Sequence, residues 1–424
     1  MEMESVFKFT RFLVLLRKDN RVILINRNNG SWIKISNESY SIVKKAIELR
    51  FTKSKLLESF SVDEDKKYFN ELLSLLFSYQ ILVSEDNFEE TGTGEISIDF
   101  TNRCNLNCIH CMAEANDIFD RYEMDNLELK ETIDKIVSVS PESITISGGE
   151  PMTRTDFFDL SYYLRKQYQG KMTLMTNGTL IKESNVHDLA NIFNHISISL
   201  DGVDEKSTSM LRGKGVFTAA MNGIMLLKEN GFKSISISMV ETRTNKDIIP
   251  QFINMCHELE AIPMIRAFAA AGRGEKVKDL LLVRTNYCPD INLAEEYINF
   301  TDYKEESPSI SGVCSSTINS FYINAYGDIY PCAPLCDKKY LYGNIKDIKD
   351  FYKYIFEYEY KSSAGFSEFY KCFPENHFLC SSCDVHTFCW HCIFQQNQRI
   401  DNDPDFKTWC YLQRRELSSI WKEV

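Results

Sequence analysis

The 424-residue chain lacks an excess of positive charge: 48 Lys and Arg stand against 60 Asp and Glu, a formal net charge of −12. Neutralising nucleic-acid phosphates needs a basic surface, so no nucleic acid is expected as a partner. Long apolar runs are scarce as well. The longest near the start is FLVLL at 12–16, flanked by charges, too short for a signal segment or a membrane span. The chain therefore reads as cytoplasmic, with no membrane partner, where thiols stay reduced. Internal repeats and low-complexity segments are missing, and residues 1–92 hold no cysteine. Against these absences stand fourteen cysteines, all beyond residue 103. In a reducing compartment they argue for metal or cluster ligands rather than disulfides.

The length suits two or three domains. In residues 1–92, FKFTRFLVLLRKDN and RVILINRNNGSWIKI read as short strands with turns at DN and NNG. Helical patterns follow at 38–50, 54–60 and 63–80, the last with Phe69, Leu72, Leu73 and Leu76 on one face, and ILVSED closes as a strand. A small winged-helix-like domain is expected, linked onward by ETGTG at 90–94. From 93 to 285 strands expected at 95–101, 143–147, 171–176, 195–200, 233–240 and 262–268 alternate with amphipathic helices. Six βα units predict an α/β fold with a parallel sheet, open or curled into a partial (β/α)6 barrel, and place function at the C-terminal strand ends. Those ends carry CNLNCIHC, GGEP, TNGT, SLDG and ETRTN. A connector is expected at 286–312. The cysteine-rich segment 313–424 has few apolar runs and is expected to fold around metal.

Cys104, Cys108 and Cys111 fall within eight residues. With His110 they suggest half of a zinc site, but His110 directly neighbours Cys111, which is awkward for one tetrahedral ion. Iron–sulfur clusters take thiolates from tight loops of this kind. Three ligands for four irons leave one iron open.

C-x3-C-x2-C after the first strand of this region, with GGEP after the second, resembles the radical S-adenosylmethionine (radical SAM) superfamily. The resemblance implies that Cys104, Cys108 and Cys111 hold a 4Fe–4S cluster whose open iron binds S-adenosylmethionine. It implies that Gly148, Gly149, Glu150 and Pro151 approach the cofactor's amino group, with Glu150 accepting from the ammonium. Ser199 and Arg212 would serve the carboxylate and ribose side, with Asn177 and Asp201 nearby. The position before the third cysteine is usually aromatic in the family; His110 stands there and would pack against adenine. AAGRG at 270–274 also matches this branch, though alone it reads equally as a flexible linker.

Cys314, then twelve residues, Gly327, four residues and Cys332, followed by Cys380-x2-Cys383-x5-Cys389-x2-Cys392 and Cys410, resembles the SPASM extension of radical SAM enzymes. That extension carries two auxiliary 4Fe–4S clusters, making three in all. The resemblance assigns Cys380, Cys383, Cys389 and Cys410 to one. It assigns Cys314, Cys332 and Cys392 to the other, with its fourth iron open or bound by Cys336. The family's last gap is usually three residues rather than two, which weakens the assignment of Cys392. A four-thiolate zinc site from the two C-x2-C pairs is the alternative, and it leaves Cys314, Cys332 and Cys410 unused. Cys256 and Cys288 read as ordinary thiols, with Cys372 less defined.

The N-terminal domain resembles the precursor-recognition element of peptide-modifying enzymes, in which a leader segment adds as a strand at the sheet edge. A DNA-binding winged helix or a structural cap are the other readings; the acidic start of the helix at 63–80 suits DNA poorly. The function implied is a peptide maturase. It would install a thioether or carbon–carbon crosslink in a ribosomally made precursor, fed by an electron donor such as flavodoxin or ferredoxin. A sulfatase-maturing enzyme is the second reading, although the aspartate that family carries after the cysteine equivalent to Cys332 is Ala333 here. A non-catalytic iron–sulfur or zinc regulator is the third, and leaves GGEP unexplained.

Overall fold

The structure, a computed structural model, describes residues 5–85, 93–116, 121–283, 314, 316, 319–389, 392–402 and 406–421. Its contacts form two compact units that are not consecutive stretches of chain. One joins 1–91, 286–318 and 372–424; the other joins 92–285 with 319–371. The expected C-terminal segment 313–424 is thus divided between them. The expected connector at 286–312 lies outside the described residues.

In the first unit, β1 (Phe7–Phe9) pairs antiparallel with β5 (Leu82–Ser84). β2 (Leu13–Lys18), β3 (Arg21–Asn26) and β4 (Trp32–Ser36) form an antiparallel three-stranded sheet. The helices Asn37–Glu48, Lys53–Glu58 and Asp63–Ser78 follow, as the periodicity predicts. Phe69, Leu72, Leu73 and Leu76 turn inward together and pack with Val22, Leu24 and Ile35 from one face of the sheet. The opposite face, with Leu16, Ile23 and Ile25, packs against Phe388, Leu417, Ile420 and Trp421 from the end of the chain.

The second unit is built on the expected six parallel strands: β6 (Glu95–Asp99), β7 (Ser143–Ser147), β8 (Lys171–Thr176), β9 (His195–Ser199), β10 (Ile235–Glu241) and β11 (Ile262–Ala267), adjacent in chain order. Each strand has one apolar face. Ile96, Ile98 and Phe100 are fully buried, and Phe100 meets Phe157 of the helix Phe157–Gln167 edge to face. The other face is polar: Thr145 Oγ1 donates to Glu95, and His195 sits between the hydroxyls of Ser234 and Ser236. Gly231, at φ +77°, ends the helix Val216–Glu229 as the residue just past the cap.

Beyond β6 the sheet continues through β12 (Phe321–Ile323), which is parallel to β6, then antiparallel β13 (Asp328–Tyr330) and β14 (Gly343–Asn344). Residues 319–371 have an aromatic core of their own, with Phe321, Tyr342, Tyr354, Tyr360 and Phe369 buried. Short strands of three residues or fewer, packed by tyrosine rather than aliphatic runs, hide that core from periodicity. Among the described residues no helix is long and apolar enough to cross a membrane.

Candidate active site

Where β6 ends, the chain leaves regular structure to form the loop of Cys104, Cys108 and Cys111. An irregular loop must find partners for its own peptide groups, and here neighbouring rims supply them. Gly149 N donates to Thr101 O at 2.8 Å, and Glu150 N to Arg103 O at 2.8 Å. The contact is close enough to demand glycine. A Cβ on Gly148 would lie 2.2 Å from Thr101 O, and one on Gly149 2.4 Å from Arg103 O. GGEP thus grips the cysteine loop directly, backbone to backbone, a role its expected approach to a cofactor did not include. Asn116 closes the other side: its Oδ1 accepts from Cys104 N at 2.8 Å and its Nδ2 donates to Cys104 O at 2.9 Å. Glu123 holds the strand exit, accepting from Thr101 Oγ1 and Asn102 N.

Glu150 has no exposed surface. Its carboxylate accepts from Asn177 N at 2.7 Å, from Thr176 Oγ1 at 2.9 Å and from Met152 N at 3.3 Å. Burial outweighs these donors and pushes its pKa up to about 7. Pro151, buried, opens the short turn that follows. Asn177 reaches back to the loop, donating to Asn105 Oδ1 at 2.9 Å with Cys104 Sγ at 3.9 Å.

Below the loop lies a buried ionic group. Asp201 Oδ2 is 2.9 Å from His110 Nε2 and 2.6 Å from Arg212 Nε, and Asp201 Oδ1 accepts from Val240 N at 2.7 Å. The Arg212 guanidinium and the His110 ring thus meet the same oxygen, and His110 Nδ1 has no partner among the described residues. Burial would raise Asp201, but Arg212 and His110 outweigh it and hold the carboxyl well below its ordinary value. His110 therefore faces Asp201, and Asp201 acts on Arg212 and His110. Ser199 is half-buried, at the end of β9.

The three thiols feel one another. Burial raises Cys104 to about 11 and raises Cys108, with mutual repulsion adding to both. Arg212 and Arg273 oppose the rise at Cys108. Three thiols drawn to one loop, a buried carboxylate at the next rim and a buried arginine beneath fit a thiolate-held cluster with a zwitterionic ligand on it. Among the described residues no three His, Cys, Asp or Glu side chains are grouped tightly enough for a single metal ion.

In the first unit Cys380, Cys383, Cys389 and Cys410 come together: burial lifts Cys389 to about 12, and the other three thiols add to the rise. Cys314 and Cys392 belong to this unit as well, whereas Cys332 and Cys336 belong to the other. Cys336 is raised to about 12 by burial and by Asp99, with Asn324 Nδ2 4.0 Å from its sulfur. Cys256 is a core thiol of the helix Ile249–Glu258; Cys288 lies outside the described residues.

Sequence reasoning missed several residues. Thr176 holds Glu150, and Arg154 ties Phe100 O and Met124 O through one guanidinium nitrogen at 3.0 and 2.8 Å. Asp99 is buried with Tyr322 donating to it at 2.5 Å, and burial lifts its pKa to about 7. Asp99 shares the polar half of the alternation in EISID with Glu95 and Ser97, so nothing local singled it out, and nothing local marked the others.

Residues 98–255 match the family model described as Radical SAM superfamily. The chain is 34% identical over 200 residues to Fe-coproporphyrin III synthase of Methanosarcina barkeri, covering 46% of this chain and 49% of that protein. It is 28% identical over 260 residues to mycofactocin maturase MftC of Mycolicibacterium smegmatis, covering 58% and 66%. The matches thus span about half to two thirds of these curated relatives' length. The crystal structure of Streptococcus suis SuiB bound to S-adenosylmethionine superposes with a TM-score of 0.56 at 20% identity, over 92% of this chain and 96% of that one. SuiB bound to its precursor peptide SuiA gives 0.52. At these identities the likeness is one of fold.

Proposed function

Residues 98–255 are a radical SAM domain, and from that premise we propose that the protein is a radical SAM enzyme that crosslinks a ribosomally made precursor peptide. A 4Fe–4S cluster with bound S-adenosylmethionine supplies reductive cleavage of the sulfonium and a 5′-deoxyadenosyl radical able to remove an unactivated hydrogen. Cys104, Cys108 and Cys111 would hold that cluster, and Glu150 would accept from the cofactor's ammonium. Arg212, held by Asp201, and Ser199 would meet its carboxylate and ribose side. The rim contacts through Gly149, Asn116 and Asn177 keep the loop in register. The observation that carries the reading is this joining of the three-cysteine loop to GGEP across adjacent parallel strands.

The converging thiols Cys380, Cys383, Cys389 and Cys410 support one auxiliary 4Fe–4S cluster. A peptide substrate is supported by the N-terminal strand-and-helix module, and by the likeness to MftC, named a maturase, and to the fold of SuiB, which binds a precursor peptide. Oxidation of a serine or cysteine is a second reading. Ala333 stands where that reading needs a base, which weighs against it.

Anaerobically reconstituted protein given dithionite and S-adenosylmethionine is expected to release 5′-deoxyadenosine. A fully iron-loaded sample that releases none would overturn the reading. With peptide present, a product lighter by two hydrogens that resists aldehyde-specific labelling supports a crosslink; a labelled product supports side-chain oxidation.

A further inference from the structure

AAGRG, which matches this branch of the family but alone reads equally as a flexible linker, is folded against the cysteine loop. Arg273 N donates to Cys111 O at 3.0 Å and its Nε to Cys108 O at 3.1 Å, while Nη1 donates to Ala115 O. One residue thus ties three carbonyls of the loop, two of them belonging to the cysteines. Glycine on both sides permits this. Gly272 has φ +55°, and a Cβ there would lie 2.5 Å from Met112 O and 2.8 Å from Cys111 O. A Cβ on Gly274 would lie 3.0 Å from Ala269 O. The helix Arg273–Lys276 begins at this contact, so the brace is anchored in regular structure rather than in a free loop.

We propose that Arg273 is a positioning residue of the three-cysteine site: its planar fork ties Cys108 O to Ala115 O across the turn that carries Cys111, and its permanent charge stands beside that site. Asn116 and GGEP hold the Cys104 side of the loop; Arg273 holds the opposite side, where the unbraced loop would present unpaired carbonyls. Arginine suits the task because a guanidinium presents several donors in a rigid plane and stays charged, whereas a lysine ammonium is a single point. A fixed positive charge beside a cluster favours its reduced, more negative state, so it raises the reduction potential. The inference rests on the radical SAM reading of this site.

The test compares full-length Arg273→Gln and Arg273→Lys with the parent, all anaerobically reconstituted. Three properties are read: the unfolding temperature of the cluster-free protein, the electron paramagnetic resonance signal that S-adenosylmethionine perturbs, and the midpoint potential of that signal. Arg273→Gln is expected to unfold as the parent does, to show a weaker or broadened cofactor-sensitive signal, and to have a more negative potential. Arg273→Lys is expected to restore the potential but not the sharp signal. Loss of the cofactor-sensitive signal alone, with the other signals kept, also supports the assignment. Parent-like signal and potential in Arg273→Gln overturn it. So does a lowered unfolding temperature with loss of every cluster signal, which is general misfolding. A parent lacking a cofactor-sensitive signal sinks the proposed function rather than this inference.

Discussion

Glu150 joins fold and chemistry in one side chain. Its ordinary pKa of 4.5 rises to about 7 because burial costs the charged form more than its three donors return. Between those two values the folded carboxyl keeps a proton that the unfolded chain releases. Stability from this group is therefore complete below about pH 4.5, falls as pH rises towards 7, and is lost above it. Glu150→Gln should remove this pH dependence from the cluster-free protein: relative to the parent it should gain up to about 3 kcal/mol between pH 4 and pH 8, on top of a pH-independent loss of about 1–3 kcal/mol because its amide nitrogen faces a backbone donor. Urea unfolding at the two pH values checks this. The same variant should bind S-adenosylmethionine more weakly, read by equilibrium dialysis on reconstituted protein. Asp201 carries the opposite risk. Asp201→Asn removes the counter-charge of a buried arginine and should destabilise the protein by roughly 3–5 kcal/mol, measurable in the same unfolding experiment; a loss under about 1 kcal/mol would mean that water reaches the pair.

At the scale of elements, the parallel strands matter because adjacent C-terminal ends place their loops side by side. The β6 and β7 exits are joined by Gly149 N and Glu150 N, and the glycines make that approach possible. Gly149→Ala would force its new methyl against Arg103 O. It should leave the strands intact by circular dichroism yet cost most of the cofactor-sensitive iron signal, with auxiliary iron retained. If the signal survives, the two loops are more independent than their hydrogen bonds imply.

For the first unit as a whole, the two ends of the chain form one body. The apolar face of Leu16, Ile23 and Ile25 is covered by Phe388, Leu417, Ile420 and Trp421, with Trp32 edge-on to Phe388 at 5.2 Å. Polar contacts seal it: Lys18 and Arg414 both pair with Asp384, Arg27 pairs with Glu375, and Trp421 Nε1 donates to Asp384 O. The covering residues are interleaved with Cys380, Cys383, Cys389 and Cys410. Removing residues 1–91 therefore cannot cleanly delete a recognition module. The truncated chain should expose an apolar face that promotes aggregation and, on the proposal of a cluster at the four thiols, bind about four fewer iron atoms. Iron analysis and light scattering of the truncated protein test this; full iron and a monodisperse sample would mean the C-terminal part stands alone.

The βα alternation, the three-cysteine loop, GGEP and the N-terminal helices were legible in the chain because each is a local pattern. Spacing of two or near four residues sets which face a side chain takes, and a tight run of thiols announces itself wherever it lies. Tertiary structure alone decided that His110 turns to Asp201, that Arg273 braces the cysteine turn, that residues 319–371 extend the parallel sheet, and that the segment from Cys372 onward completes the first unit. Those outcomes depend on carbonyls and apolar faces left unpaired by one segment and met by another far along the chain. Which partner meets them is set by where the folded backbone brings each segment, and no local pattern records that.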